Sequence, residues 1–154
     1  MMNNEKQFQT KPKKLVKKTY LKLIRNSVGS RMFRNLYISI DNRQKYDATK
    51  NGELSCAFYV SAILVIFGLI KNTHGTIQRT QEDLEEVGWI KTDQPNPGDI
   101  IIWEADKDSH NHIGFYVGRN KAISNNSLRR KITMHDYTFN HTRKIEIIYS
   151  NPSL

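Results

Sequence analysis

Residues 112–125 read HIGFYVGRNKAISN, and this stretch decides the fold. Its two halves are short runs rich in β-branched and aromatic residues, which is typical of strands. Arg119 and Asn120 separate the two runs, and a two-residue connection is the spacing of a tight hairpin. We therefore predict an antiparallel hairpin made of His112–Gly118 and Lys121–Asn125.

The segments around this hairpin extend the prediction in both directions. Three more short apolar runs predict strands at Ile100–Glu104, Lys131–His135 and Arg143–Tyr149. Upstream, helical patterns cover Lys13–Val28, Leu54–Ile70 and a short acidic segment that begins with a capping box at Thr80 and ends at Gly88. Helices followed by a strand meander predict an α+β fold, with the helices packed on a small antiparallel sheet.

Length and composition exclude several classes of protein. The chain has 154 residues, of which 38% are hydrophobic, enough for one domain with a real core and too apolar for wholesale disorder. One cysteine excludes an internal disulfide framework and a multi-cysteine zinc site. The longest apolar run, residues 57–70, is shorter than the roughly 20 residues of a bilayer span. The N-terminus lacks the apolar stretch of a secretory signal, so we expect a cytoplasmic location, with release by lysis or non-standard export as alternatives.

The net charge of +9 is concentrated at one end of the chain. Residues 1–43 hold eleven basic and two acidic side chains, whereas residues 44–154 hold thirteen of each sign. We therefore predict a basic N-terminal segment, a tail plus an amphipathic helix, joined to an electrically neutral domain. The favoured interpretation is a surface helix packed on the domain, followed by attraction to an anionic wall or membrane. Nucleic acid ranks last, because no arginine-rich motif or aromatic stacking pattern accompanies the charge.

Cys56 is the first candidate for chemistry. A lone cysteine on an apolar helix is most often a small buried hydrophobe. Cys56, however, lies where the polar stretch Asn51–Ser55 meets the helix, in its first turn. Unpaired N–H groups and the helix dipole favour a thiolate there. A nucleophilic cysteine would also need a base.

Histidine is the obvious base, and His112 is the favoured one of five. It opens a strand, so a sheet would hold its ring, and His110 two residues upstream is the rival. The other three lie in or beside loops, where a solvated surface position is expected: His74, His135 and His141.

A third polar residue must hold the imidazole of such a pair in the correct tautomer. Strand alternation places Ser124 and Asn126 on one face of the second hairpin strand and Asn125 on the other. Each of the first two can accept the ring N–H, although polar residues at a strand end need no such function.

Together these segments resemble the NlpC/P60 cysteine peptidases, a branch of the papain-like group. The resemblance covers residues 50–125: a cysteine opening a buried helix (SCAFYVSAILVIFGLI), a Pro-Gly-Asp turn into an apolar strand (PGDIIIWE), and HIGFYVG followed by RN and KAIS. The sequence departs from the family at the nucleophile, where Ser55-Cys56-Ala57-Phe58 replaces the usual Asp-Cys-Ser-Gly. The family's third residue is commonly His, Asn or Gln, whereas Ser124 stands in that register here.

The resemblance implies a papain-like domain over residues 44–154, with Cys56 as nucleophile, His112 as base and Ser124 as the third residue. Asn126 would replace Ser124 if the strand carried a bulge. Tyr46 is the nearest match to an upstream active-site tyrosine of the family, and Ser55 beside the nucleophile is the other candidate for substrate binding.

The implied reaction is thiol acyl transfer on an amide or peptide bond, without a metal or other cofactor. In the family the scissile bond is often in a peptidoglycan stem peptide, commonly beside a D-glutamyl residue, which makes a peptide or peptidoglycan fragment the expected partner. Two alternatives stay open. One is an intracellular amidase or acyltransferase of the same fold, and the other is a non-catalytic module that binds cell wall or nucleic acid.

Overall fold

The computed structural model describes residues 11–107 and 110–154; the first ten residues of the predicted basic tail and residues 108–109 lie outside it. The described helices are α1 (Val16–Asn26), α2 (Cys56–Ile66) and α3 (Ile77–Glu86). The strands are β1 (Tyr37–Ile40), β2 (Gln44–Asp47), β3 (Ile90–Thr92), β4 (Ile100–Trp103), β5 (His112–Gly118), β6 (Lys121–Asn126), β7 (Lys131–Asp136) and β8 (Ile145–Ser150). Strands β1 and β2 form a hairpin, and the other six form one antiparallel sheet. The predicted α+β class is confirmed.

The central hairpin forms as the sequence predicts. β5 pairs with β6, with Gly114 opposite Ser124, and the turn residues Arg119 and Asn120 have φ angles of 53° and 57°. Positive φ at both positions is what a tight two-residue hairpin turn requires. The pairing shifts by one residue between Tyr116 and Gly118, and beyond this bulge the register places Ser124 beside the start of β5.

The six strands follow the order β3-β8-β4-β5-β6-β7, so the expected simple meander is incomplete. β4 to β7 are consecutive neighbours, but β8 returns to the far edge of β4 and separates it from β3. The reason lies in β4, whose four residues IIIW are all buried. The N–H and C=O groups of a strand buried along its whole length need hydrogen-bond partners on both edges.

The core lies between the helices and one face of the sheet. α2 is apolar nearly all round and packs on β5 and β6. Its Tyr59 meets Phe115 of β5 edge to face, with ring centroids 5.4 Å apart. α2 ends earlier than the predicted Leu54–Ile70, since Gly68 takes a left-handed φ of 64° just after its last turn. This packing fixes the N-terminus of α2 against the central hairpin.

α1 contributes to the same core. Tyr20 and Ile24 are fully buried, and the Tyr20 hydroxyl donates to the carbonyl of Gly98 at 2.8 Å. The lysines of the helix are exposed. The division of the chain at residue 43 stays a prediction; β1 and β2 pair across it.

Some local predictions were wrong or missing, and the short strand β3 at Ile90–Thr92 is one of the missing elements. α3 is capped by Thr76, whose Oγ1 accepts from the Arg79 N–H at 3.3 Å, whereas the predicted cap Thr80 is buried inside the helix and donates to the Thr76 carbonyl. The hairpin β1–β2 was not predicted, because both its strands are largely exposed and lack a buried face. Among the described residues, no helix combines the length and apolar character needed to span a bilayer.

Candidate active site

Cys56 is the first residue of α2 and is half-buried. Burial raises the pKa of its thiol, and this outweighs the backbone N–H groups of Ile113, Ala57 and Cys56 itself, which act to lower it. The thiolate-favouring position predicted from the helix start is therefore present, but desolvation is the larger effect. At neutral pH the resting state is the thiol.

His112, the first residue of β5, is buried, and its Nε2 lies 2.8 Å from the Ser124 hydroxyl. Burial lowers the pKa of this imidazole to about 3, with Arg143 and His135 acting in the same direction. The ring is therefore neutral near pH 7 and has one nitrogen able to accept a proton. Together with the raised thiol pKa, this means that the thiol and the imidazole are each neutral at rest.

Ser124 is the side chain that contacts Nε2 of the His112 ring. The pairing of β6 with β7 runs without a shift from Lys121↔Asp136 to Asn126↔Lys131. The one-residue shift in its pairing with β5 places the extra residue in β5, so β6 itself carries no bulge that would bring Asn126 to the ring. The Asn126 side-chain oxygen instead accepts from the backbone N–H of Arg129 at 2.8 Å. Geometry thus favours Ser124 over Asn126 as the orienting residue.

Asn125 points to the opposite side of β6. Its Nδ2 donates to the carbonyl of Gly52 at 2.8 Å, and this bond is buried. Gly52 lies four residues before Cys56, in the loop that leads into α2. Asn125 therefore ties β6 to the nucleophile's loop and takes no part in orienting the ring.

His135 is the residue that sequence reasoning missed. Its Nε2 lies 2.8 Å from the Ser124 hydroxyl, and its Nδ1 lies 2.7 Å from the Asp136 carbonyl. The expected solvated position was wrong, because the ring stacks on Phe139 with centroids 4.0 Å apart and is partly buried. A signal existed: Ser124 faces Thr133, and the residue two further along β7 is its diagonal neighbour on the same face.

The cleft consists of two adjoining cavities, of about 360 and about 630 Å³, that both include His112. The smaller contains Cys56, and the larger contains Ser124 and His135. The residues common to both are Glu53, Leu54, His110, His112, Ser127 and Arg143. An extended substrate lying across His112 would therefore meet the thiol on one side and the orienting residues on the other.

The two residues expected to bind substrate lie elsewhere. Tyr46 is on the exposed hairpin β1–β2, 42% exposed, and is not among the residues that line either cavity. Ser55 is 1% exposed and also does not line them; its hydroxyl has no hydrogen-bond partner within residues 11–107 and 110–154. Adjacent residues on a helix start point in different directions, which is why Cys56 reaches the cleft and Ser55 does not.

The remaining three histidines have different surroundings. His74 is held by Asp83, with Nε2 2.8 Å from Oδ2, rather than solvated, while His141 is exposed as expected. His110, the rival base, lines both cavities. Over the part of the chain that the structure describes, no three His, Cys, Asp or Glu side chains are grouped so as to hold a metal ion.

Two comparisons with known proteins bear on this site. The model of the NlpC/P60 family matches residues 43–148, which is more than half of the chain and contains the nucleophile candidate, both cavities' histidines and Ser124. A search of curated proteins finds no match. Members of the matched family are generally cysteine peptidases and amidases, and the family acts on peptidoglycan peptides.

Proposed function

This chain belongs to the NlpC/P60 family, as its sequence motifs predict, and on that basis we propose that it hydrolyses amide bonds with Cys56 as nucleophile and His112 as base. One observation carries the proposal. Cys56 and His112 line the same cavity, and the backbone N–H of Ile113, the residue next to His112, acts to lower the Cys56 thiol pKa. The arrangement brings a thiol and a neutral imidazole to one wall of a cleft open to substrate.

The reaction follows from the resting protonation states. His112 takes the thiol proton as the sulfur bonds to the substrate carbonyl carbon, and the carbonyl oxygen becomes an oxyanion. The backbone N–H of Cys56 at the start of α2 is the natural donor to that oxyanion. His112 then gives its proton to the amide nitrogen, the C–N bond breaks, and a thioester remains on Cys56.

Water completes the cycle. His112, neutral again, removes a proton from a water molecule that attacks the thioester carbon, and the returning proton restores the thiol. The acid leaves and the enzyme returns to its starting state. Ser124 contacts the ring nitrogen that takes no part in this transfer, so its task is orientation.

For the substrate, we propose a peptidoglycan stem peptide. Family membership is the main support. The charges of the cleft are a second support, because both signs are present. Glu53 is exposed at the cleft wall. Arg143 is 12% exposed, and its guanidinium lies 2.9 Å from the Asp106 carboxylate. Stem peptides carry both carboxylates and amines, and a guanidinium is the preferred partner of a carboxylate.

Product analysis tests the proposal. Purified protein is incubated with whole sacculi and with soluble muropeptides, since a cytoplasmic location would favour the soluble fragments, and products are identified by mass spectrometry. Cys56→Ala is the matched control. We expect new stem-peptide fragments with the native protein only; equal release by both proteins would show that Cys56 is not responsible. Addition of hydroxylamine tests for the thioester on Cys56, because this nucleophile converts an acyl-enzyme to the hydroxamate.

We further propose that the exposed lysines at the start of α1 attract the domain to a phosphate-rich anionic surface. Lys13, Lys14, Lys17 and Lys18 are all exposed. Changing these four lysines to Gln should weaken salt-sensitive binding to the anionic surface. Binding is measured to anionic vesicles and, separately, to wall teichoic polymer, so that the two assays show whether the surface is a lipid membrane or the cell wall. The control changes Lys45, Lys50, Lys91 and Lys107, which are exposed and lie outside residues 13–26. Equal weakening by both sets would contradict a specific role for the helix.

A further inference from the structure

The polar chain behind His112 continues beyond the serine that the family pattern identifies. From Ser124 it passes to His135 on the neighbouring strand β7 and ends at the backbone carbonyl of Asp136. We infer that His135 is a positioning residue: acting through Ser124, it sets the tautomer in which His112 can serve as a base. The inference rests on the proposed function, because that function assigns the base role to His112.

The direction of every proton in the chain follows from its last contact. His135 Nδ1 lies 2.7 Å from the Asp136 carbonyl oxygen, which can only accept, so Nδ1 carries the hydrogen. Burial acts to lower the His135 pKa, so the ring is neutral near pH 7 and its Nε2 is an acceptor. The Ser124 hydroxyl, 2.8 Å away, therefore donates to His135.

The same reasoning carries one step further. A hydroxyl has a single hydrogen, and once Ser124 donates it to His135, the serine oxygen can only accept from His112 Nε2 at 2.8 Å. His112 Nε2 therefore carries its hydrogen, and Nδ1 holds the free lone pair. That is the tautomer required of a base whose proton is taken at Nδ1.

His135 is needed because a serine alone does not fix this direction. A hydroxyl rotates freely and can donate to an imidazole nitrogen as readily as it accepts. If Ser124 donated to His112 Nε2, the hydrogen of the neutral ring would move to Nδ1 and the base would be lost. An acceptor on the other side of the hydroxyl removes that alternative.

The surroundings of His135 hold the ring in the orientation that this task requires. The ring stacks on Phe139 at 4.0 Å with an interplanar angle of 20°, and Trp103 lies against both histidines with centroids 5.7 Å from each. The backbone bond to Asp136 fixes its rotation about the stack. Packing and hydrogen bonding thus both limit the ring to one orientation.

Nitrogen NMR tests the tautomers directly in the full-length, reduced protein. With ¹⁵N-labelled histidine, we expect His112 in the Nε2–H form and His135 in the Nδ1–H form at pH 7. Signals are assigned with single variants of the five histidines. His112 in the Nδ1–H form would overturn the inference. This measurement needs no substrate, so its result does not depend on whether the protein cleaves peptidoglycan. If the expected tautomers were found but no cleavage occurred, that result would count only against the proposed function.

Two substitutions at position 135 separate a positioning role from packing. His135→Phe keeps a ring that can stack on Phe139 but has no acceptor; His135→Gln loses the ring but offers an amide oxygen to Ser124. We expect kcat to fall about ten-fold or more in His135→Phe, with KM little changed, and to recover partly in His135→Gln. Thermal stability should follow the opposite order. Activity that follows stability, or a rise in KM with kcat unchanged, would show a packing or substrate-binding role instead.

A double-mutant cycle supplies the last test. If His135 acts only through the serine, His135→Phe should have no further effect on kcat in a Ser124→Ala background. Losses that multiply would mean that His135 acts independently of Ser124 and would overturn the inference.

Discussion

Replacing Gly114 with alanine is expected to damage both the fold and the site. A Cβ at position 114 would lie 2.7 Å from the Cβ of Ser124, 2.8 Å from the carbonyl oxygen of Ile123 and 3.2 Å from the Trp103 ring. Two of these atoms belong to the backbone or Cβ of β6, so no change of rotamer relieves the contact. Carbon atoms pack comfortably at roughly 3.5 Å, so β5 and β6 must separate locally by about 0.8 Å.

The size of the effect follows from that displacement. Overpacking of a buried position destabilises a protein by about 1–3 kcal/mol. For a chain of this length, 2 kcal/mol corresponds to a fall in Tm of about 4–8 °C. A separation of 0.8 Å would also lengthen the 2.8 Å contact between His112 and Ser124 to about 3.6 Å, beyond hydrogen-bond reach. We therefore expect lower kcat in the fraction of protein that remains folded.

Thermal unfolding followed by circular dichroism measures the first effect. Gly75→Ala is the matched control, since a Cβ there meets its nearest atoms at 3.4 and 3.6 Å, which is ordinary contact. We expect the control to unfold within about 2 °C of the native protein, as surface substitutions without strain do. If Gly114→Ala unfolded at the same temperature as the control and kept the same His112 tautomer, the reasoning from strand separation would be refuted.

Three further outcomes are expected. Because burial raises the Cys56 pKa, iodoacetamide should alkylate it more slowly than glutathione at pH 7, with a rate still rising above pH 9; a plateau by pH 7 would contradict a neutral resting thiol. Asp47→Ala should lower the free energy of unfolding by about 1–2 kcal/mol at pH 7 in urea titrations, because its carboxylate accepts hydrogen bonds that include two from Thr49. Although burial acts to raise the Asp47 pKa, these bonds hold it well below its usual range, so the stabilisation is present above about pH 4 and lost as the pH falls; a constant difference from pH 7 to pH 2 would count against it. Tyr20→Phe should lower the same free energy by about 1 kcal/mol, since the buried Gly98 carbonyl loses its donor, and unchanged stability would mean that this bond contributes nothing.

The parts of the fold that local sequence patterns specify were predictable. β5 and β6 follow from apolar runs separated by Arg119 and Asn120, and the start of α2 at Cys56 follows from the change from polar to apolar residues. These features depend on neighbouring residues only. The hairpin β1–β2 has no buried face and therefore no clear period, and the position of β8 beside β4 depends on contacts far apart in sequence.

In the candidate site, too, the features set by neighbouring residues were predictable and those set by contacts between distant segments were not. His112 and Ser124 lie on the two strands of one predicted hairpin, but the register that pairs Gly114 with Ser124 also depends on a one-residue bulge in β5 that the sequence analysis did not predict. His135 joins them only through the pairing of β6 with β7, and the sequence analysis did not predict that this pairing brings His135 to Ser124. The raised pKa of Cys56 was missed for a different reason: the helix start is visible in the sequence, but the burial that outweighs it is a property of the assembled fold.

The neighbours Ser124 and Asn125 make contacts on opposite faces of β6. Ser124 contacts His112, and Asn125 contacts Gly52 in the loop before Cys56. Both contacts form because successive side chains of a strand point to opposite faces. A slip of β6 by a single position would exchange the two and leave both contacts unmade, although the strand itself could still pair. The turn and the one-residue bulge in β5 together set which residue faces which side, because without the bulge Gly114 would pair with Asn125 instead of Ser124. The bulge therefore belongs to the proposed site as much as the side chains do.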